Sequence, residues 1–562
     1  MSDWDRIADV VVVGSGAAGL TAAITARASG LDPIVLERGD LVGGSTAFAG
    51  GGMWIPANKW MVADGVRDTP ELALEFLEAL VGDAGPSTTR ERKEAFVYRA
   101  PEAIAFLEGQ GMRFRRTPGY PDYHPDYPGA SVDGRGIESV IFDTHRLGVW
   151  AERLPKRVFP RNMPLGTLDV SRVTLARRTL PGAARYARIF AHHVISRARG
   201  ERLVGGGGAL VSQLLQTVLG QGTPVALNTR VVELVQEGDR VTGVVVERAD
   251  GTVLRIQARA GVMLGAGGFA RNDDMRGEYH PDPAQAAWTS ASRFDLGDGI
   301  RLGQEAGGAT ALMDEVWGGP SSLMPGGPAI FHVSERSKPG SIMVDGSGRR
   351  YLNEAKSYVE AVHDMYARHR ETPAIPSWLI FDTTYRRRYP FGTMLPWITP
   401  KALVENGYLK RASSIAELAR ICGIDPATLE QTVQRFNGFA HTGVDADFHR
   451  GENAYDTYYG DPRVKPNPCL APLAKAPFYA TALYPGDLGT KGGLVTDAEG
   501  RVLREDGTAV EGLYASGNTS ASVMGRHYPG PGVTLAPAVT FSYLAMRHAA
   551  VAAGREIYQP VA

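Results

Sequence analysis

The first strong pattern in the chain is an unbroken run of four valines at 10–13. A continuous β-branched run predicts a strand buried on both faces, as in a parallel sheet. Gly14-Ser15-Gly16-Ala17-Ala18-Gly19 follow it, then small residues over about 20–29 that predict a helix, then a second apolar run at 33–36 ending in Glu37. Strand, glycine turn, helix and strand together make a βαβ unit. Leu72, Phe76, Leu77 and Leu80 recur at helical spacing and predict a helix over 70–81, with Gly85-Pro86 as its breaker. A second helix should run to about 108, with Ile104, Phe106 and Leu107 near its end. Alternation over 231–247, interrupted at Gly238-Asp239, predicts a hairpin. Residues 261–264 read as another buried strand, running into Gly265-Ala266-Gly267-Gly268.

From about 285 to 475 the pattern changes to Pro-rich turns, aromatics and one helical stretch near 414–439. At 512–518 (Gly-Leu-Tyr-Ala-Ser-Gly-Asn) the strand-then-glycine style of the opening returns. The expected architecture is therefore α/β. A cofactor domain is built from 1–284 and 476–562, and an α+β catalytic or substrate domain, 285–475, is inserted between them.

Composition narrows the field. A chain of 562 residues exceeds one compact core, which supports two domains. Lys plus Arg (60) balance Asp plus Glu (61), which argues against a nucleic-acid partner. The two cysteines, Cys422 and Cys469, allow at most one disulfide and no cysteine-pair metal site, so a cytoplasmic location is expected. The first seven residues lack the basic start and cleavage site of a signal peptide. No run of about 18 apolar residues suggests a membrane-spanning helix.

The glycine turn carries the first chemistry. Gly14 permits the turn, Gly16 lets backbone approach a pyrophosphate, and Gly19 lets the helix lie against the strand. The helix N-terminus offers its dipole to phosphates, and Glu37 would accept from the adenosine ribose. NAD and FAD share this fingerprint. Three further features favour FAD: Gly43-Gly44-Ser45-Thr46 just after the acid, the second glycine turn at 265–268, and the third at 512–518. A cofactor threaded along the first and last strands in this way resembles the glutathione-reductase-like flavoproteins, and among them the fumarate reductase and 3-ketosteroid dehydrogenase branch. The expected cofactor-binding set is completed by Ser15, Ala17, Ala18, Arg38, Val231, Ala266, Gly267, Gly517 and Asn518.

Four separated motifs, in order, sharpen the resemblance to 3-ketosteroid Δ1-dehydrogenases: Pro121-Asp122-Tyr123, Asn353-Glu354-Ala355-Lys356-Ser357-Tyr358, the run 486–493 (Gly-Asp-Leu-Gly-Thr-Lys-Gly-Gly), and Tyr528-Pro529-Gly530-Pro531-Gly532. The likeness extends from Asp9 to His548. It implies 1,2-desaturation of an apolar 3-ketosteroid with FAD as cofactor and an external electron acceptor, expected to be a quinone. It also implies that Tyr528 and the Gly532 N–H hold the ketone oxygen, with Tyr358 as base and Tyr123 in hydrogen-bond support. The residue types suit the chemistry, because a carbon beside a ketone becomes acidic only when charge on the oxygen is stabilised by fixed donors. Pro529 and Pro531 restrict φ and stiffen the loop between the two donors. A free phenol, with a pKa of about 10, needs tuning to act as a base.

Two departures qualify the likeness. Gly489 stands where succinate and fumarate enzymes of this branch place a histidine. His124 stands where relatives often carry a second tyrosine, with little effect expected. His527, beside Tyr528, reads as a wall or surface residue. Other readings are a 5α-desaturating or fumarate-type enzyme, and a membrane-associated electron-transfer flavoprotein.

One segment departs from neutrality. Residues 146–202 hold 13 Lys or Arg against three acids. Within it, 172–199 predicts an amphipathic helix broken near Pro181-Gly182. Ala183, Ala187, Phe190, Ala191 and Val194 form one face, and Arg185, Arg188, His192 and Arg199 the other. Such a face suits the anionic inner surface of a membrane, or else solvent or a subunit contact.

Overall fold

In the computed structural model, residues 4–156 and 164–555 are described. The valine run forms the strand Arg6–Val13, whose last six residues are buried. It pairs in parallel with Pro33–Leu36 on one side and Val253–Leu264 on the other. The latter pairs in parallel with Ala509–Ala515, so both ends of the chain meet in one eight-stranded sheet. The hairpin strands Thr229–Glu237 and Arg240–Arg248 join this sheet antiparallel. The helix Ala17–Ala28 and the near-terminal helix Leu535–Ala552 pack on each other through small buried residues. Cβ-light faces allow this close approach.

A second, six-stranded sheet holds Val316–Leu323, Ser341–Val344, Ser377–Asp382 and Phe478–Thr490. The sequence reading places the last strand with the returning cofactor segment, but it pairs with Val316–Leu323 and Ser377–Asp382 and is central here. It ends at the turn 489–493, where Thr490 lies against Gly268.

The predicted helices are found as Pro70–Leu80 and Arg90–Gly109. The helical stretch expected over 414–439 is two helices, Ile415–Cys422 and Pro426–Thr442. Gly423 takes φ +71° between them and Pro426 starts the second, so the stretch cannot continue. Pro181 likewise opens a helix rather than breaking one: Leu180–Ala198 has its proline in the first turn, where no N–H is missed. Both cysteines are free thiols, pushed up to about 12 by burial. No described helix is long and apolar enough to cross a membrane.

Candidate active site

Three glycine turns converge at the carboxyl ends of the parallel strands. A Cβ on Gly14 would lie 2.4 Å from the Gly265 oxygen, and one on Gly19 would lie 1.9 Å from the Gly14 oxygen. Each position therefore requires glycine, for the strand-to-strand and helix-to-strand approach the fingerprint predicts. Gly517 abuts Ala18, and the Thr519 hydroxyl donates to the Gly267 carbonyl at 2.8 Å. The helix Ala17–Ala28 begins at Gly16 with no side-chain cap and no acid in its first turn. Its positive end is left facing this cleft.

Neighbouring segments fix the other residues expected to bind the cofactor. Ala17 N–H donates to Thr46 Oγ1 at 3.1 Å, and Ser45 Oγ accepts from Ser292 N–H at 2.9 Å. Gly43 and Gly44 both take positive φ. Glu37 is buried and accepts from the Ser15 hydroxyl (2.5 Å), Ser15 N–H (3.1 Å) and Gly39 N–H (2.7 Å). Part of its capacity is thus used within the loop, which fixes its orientation. Arg38 pairs with Asp298. Val231 is buried two residues beyond Thr229, whose N–H donates to the Glu37 carbonyl. Asn518 Oδ1 accepts from Trp317 Nε1 at 3.0 Å.

Asp295 was not among the expected residues. Both its carboxylate oxygens are buried with no aligned hydrogen-bond partner among the described residues, although the Gly268 backbone lies close by. A Cβ on Gly267 would lie 2.5 Å from it, and one on Gly489 3.7 Å. Burial and the neighbouring Asp487 push its carboxyl up to about 7. An unpaired buried acceptor among the glycine turns, with an uncapped helix end beside it, suits a ligand carrying both hydroxyls and phosphates. These residues fit FAD.

Beyond the cofactor cleft the structure brings all four expected reaction-centre residues together. Ring centroids of Tyr358 and Tyr528 are 4.7 Å apart, those of Tyr123 and Tyr528 5.1 Å, and those of Tyr123 and Tyr358 5.4 Å. All three rings are at most 5% exposed. The Tyr528 phenol is raised by burial, while the neighbouring Tyr358 hydroxyl, Thr534 hydroxyl and Gly532 backbone pull it the other way. The Gly532 backbone thus lies close to the Tyr528 hydroxyl. Gly532 takes φ +97°, and a Cβ there would lie 2.3 Å from the Gly52 carbonyl, so glycine is required.

The loop 528–532 is held by its neighbours. Tyr123 N–H donates to the Pro529 carbonyl at 2.8 Å. Trp54, against which Gly530 packs, donates to Asp122 at 2.6 Å, and Asp122 is paired with Arg135 at 2.8 Å. The motif Pro121-Asp122-Tyr123 thus supplies an anchor as well as a ring. The second motif does the same for Tyr358, the first residue of the helix Tyr358–His369. Buried Glu354 pairs with Arg350 (2.8 Å) and Arg450 (3.1 Å), accepts from Met343 N–H, and is held at about 2 chiefly by these arginines against burial. Asn353 ties the segment to Asp456 at 2.8 Å.

The expected support from Tyr123 takes a different route. Its hydroxyl pairs with Tyr120 (2.9 Å), and Tyr120 pairs in turn with Tyr459 (2.7 Å). Burial, then the surrounding phenols, push Tyr120, Tyr123 and Tyr358 well above the usual tyrosine range. The resting cluster is neutral. Tyr455 lies tilted against Tyr123 with ring centroids 4.2 Å apart, and Trp317 stands edge-on to Tyr528 at 5.5 Å. The motifs did not flag these rings, whose only signal is the aromatic cluster at 455–459 and the closeness of Tyr120 to Tyr123. Gly489 has φ +141° and a Cβ there would meet Asn518 at 2.5 Å, so no histidine fits at this place.

The FAD binding domain family matches residues 9–535. The protein named 3-oxosteroid 1-dehydrogenase of Mycolicibacterium smegmatis is 44% identical over 96% of this chain and 96% of its own length. Its namesake from Mycobacterium tuberculosis is 44% identical over 97% and 99%. The crystal structure of 3-ketosteroid Δ1-dehydrogenase from Sterolibacterium denitrificans, in complex with 1,4-androstadiene-3,17-dione, superposes with a TM-score of 0.92 at 38% identity, covering 97% of this chain and 100% of that one. With the FAD cradle and the tyrosine cluster both in place, this chain belongs to the 3-oxosteroid 1-dehydrogenase family of FAD flavoproteins.

Proposed function

We propose that this enzyme converts 4-ene-3-ketosteroids to 1,4-diene-3-ketosteroids, removing a proton from carbon 2 and a hydride from carbon 1. The observation that supports the reading is the packing of the buried Tyr358 and Tyr528 rings, 4.7 Å apart, with the Gly532 backbone close to Tyr528. A neutral phenol is a good donor, and burial keeps Tyr528 neutral. With the Gly532 N–H it grips the ketone oxygen as negative charge develops there. Losing one such donor typically costs about 3–4 kcal/mol of barrier. Tyr358, as phenolate, takes the proton from carbon 2. Bound FAD supplies the hydride acceptor. The ring cluster excludes water, so the donors act in a low-dielectric site.

The test is anaerobic mixing of the yellow protein with a panel of 4-ene-3-ketosteroids. Flavin bleaching with formation of the 1,4-dien-3-one is expected. A 5α-desaturated product, or no bleaching with any ketosteroid, overturns the reading. Reoxidation of the reduced protein by a soluble quinone checks the proposed acceptor class.

The partner surface is proposed as an anionic bilayer, from the helix Leu180–Ala198. Tyr186, Phe190, Val194 and Ile195 are exposed on it, with Leu180 at its start. Arg188, Arg197 and Arg199 are exposed beside them and form no ion pair with a described residue. Arg185, expected outward, turns inward to buried Asp169 at 2.6 Å. Arg178 is likewise held by Asp461, and Arg157 and Arg161 lie outside the described residues. A second exposed apolar loop, with Leu395, Trp397 and Ile398, adjoins the helix start through Arg177, whose guanidinium lies 5.5 Å from the Trp397 ring centre. Aromatic and aliphatic groups flanked by unpaired arginines suit a lipid interface. Co-sedimentation with phosphatidylglycerol vesicles at low salt, lost in Phe190→Ser/Trp397→Ser, is expected. Equal sedimentation of both proteins rejects the assignment.

A further inference from the structure

The three reaction-centre tyrosines come from three separate segments, and beside each stands a polar residue that the chemistry above leaves unused. His124 follows Tyr123, Glu360 lies two positions beyond Tyr358, and His527 precedes Tyr528. These three residues converge. Glu360 Oε1 is 3.2 Å from His527 Nδ1 and 3.3 Å from His124 Nε2. The two imidazoles stand edge to face, 6.2 Å apart. The His527 contact is an aligned hydrogen bond. The His124 contact is within ion-pair range without that alignment, and the second Glu360 oxygen has no aligned hydrogen-bond partner among the described residues, although the Ser357 side chain lies close to the carboxylate.

Glu360 sits in the first turn of the helix that Tyr358 begins. The dipole of that helix favours a carboxylate there. The two imidazoles, chiefly His124, hold it well below the usual carboxylate range despite burial. Lys491 faces the same cluster: its ammonium donates to the His527 carbonyl at 3.0 Å and lies 5.0 Å from the Trp317 ring centre. Ser357, Asp364 and Tyr455 also face Glu360. A carboxylate this buried is costly unless paired, and removing one partner leaves the other stranded. Glu360 thus contacts both imidazoles and links all three tyrosine segments through side chains.

We propose that Glu360 is a positioning residue, clamping His124 and His527 so that Tyr358, Tyr528 and Tyr123 keep the mutual placement that the reaction needs. The clamp rests on the roles given above to Tyr358, Tyr528 and Gly532. It acts through the spacing of donors and base, so its loss should fall on turnover more than on substrate binding. His124, at a position where little effect was expected, becomes part of the machinery, and His527 is more than a wall.

The experiment uses flavin-loaded enzyme with a 4-ene-3-ketosteroid and the variants Glu360→Gln, Glu360→Asp, His124→Gln, His527→Gln and Glu360→Gln/His527→Gln. Glu360→Gln is expected to lower kcat by about tenfold or more while KM stays within about threefold, and Glu360→Asp to recover part of the loss. The double variant should be no slower than Glu360→Gln alone, within about twofold, because both changes open one clamp. Losses that multiply, or a wild-type kcat in Glu360→Gln, overturn the clamp. Formation of the 1,4-dien-3-one by the wild-type protein tests the underlying function separately, since its absence rejects that function whatever the variants do. If Glu360→Gln does not retain flavin, the two histidine variants read the same split between kcat and KM, and wild-type kcat in both rejects the proposal.

Discussion

Tyr120 donates to, or accepts from, the Tyr123 hydroxyl at 2.9 Å and stands between it and Tyr459, 2.7 Å away. This chain of three hydroxyls fixes the ring of Tyr123, which in turn packs on both Tyr528 and Tyr358. In the proposed mechanism Tyr123 therefore supports the reaction centre by placement of its ring. Tyr120→Phe removes the middle hydroxyl and leaves the rings in place. A net hydrogen bond is worth about 1 kcal/mol, so a loss of about fivefold in kcat is expected by steady-state assay. A loss of several hundredfold would mean that the chain carries the proton itself.

Tyr358 should behave differently. Tyr358→Phe removes the base and should lower kcat by about 10²–10⁴-fold with flavin still bound. The pH dependence of the wild-type protein gives an independent check. Burial raises this phenol well above its ordinary value. At pH 6–9 the phenolate is then a small fraction that grows tenfold per unit of pH. If proton removal limits the rate, log(kcat/KM) should climb with a slope near one across that range and level off only above it. A profile that falls between pH 7 and 9 would remove a Tyr358 phenolate from the mechanism.

The donor pair can be separated by substitution. Tyr528→Phe deletes one donor, for a loss of about 10²–10³-fold in kcat. Gly532→Ala does not delete the second, but its Cβ would lie 2.3 Å from the Gly52 backbone at a φ that disfavours side chains. The amide must shift, and a comparable loss in kcat is expected. Wild-type turnover in Gly532→Ala would show that the amide is not gripping the ketone.

Much of this was legible in the sequence because local physics dictated it. Four consecutive valines can only be buried on both faces, and Gly14 and Gly19 stand where any Cβ would collide with backbone. The tyrosine motifs were legible because each also carries its own anchor, Asp122 for one and Glu354 for another. Contacts assembled from distant segments were not. Asp295 meets Gly267 and Gly489 only in the folded chain, and nothing near Glu360 in sequence announces His124 or His527. Arg185 shows the same limit: helical spacing put it on the outer face, but its partner Asp169 lies on the preceding helix, Thr167–Val173, and draws it inward.

Asp295 permits a prediction about stability rather than rate. Its carboxyl is raised from 3.8 to about 7, chiefly by burial and then by Asp487. A raised carboxyl pKa favours the folded state fully below the unfolded value, and that advantage is lost as pH rises to the folded value. In flavin-free protein, therefore, Asp295→Asn should match the wild-type Tm near pH 4, exceed it progressively between pH 4 and 7, and keep a constant lead above that. The same substitution removes an acceptor from the cleft that fits the cofactor, so flavin should dissociate more readily from the variant. Thermal unfolding of deflavinated proteins across pH 4–8, with flavin retention measured by gel filtration, tests both halves. A Tm difference that does not change with pH would mean that the carboxylate finds a partner in the flavin-free protein, and the reason for assigning it to the cofactor would be gone.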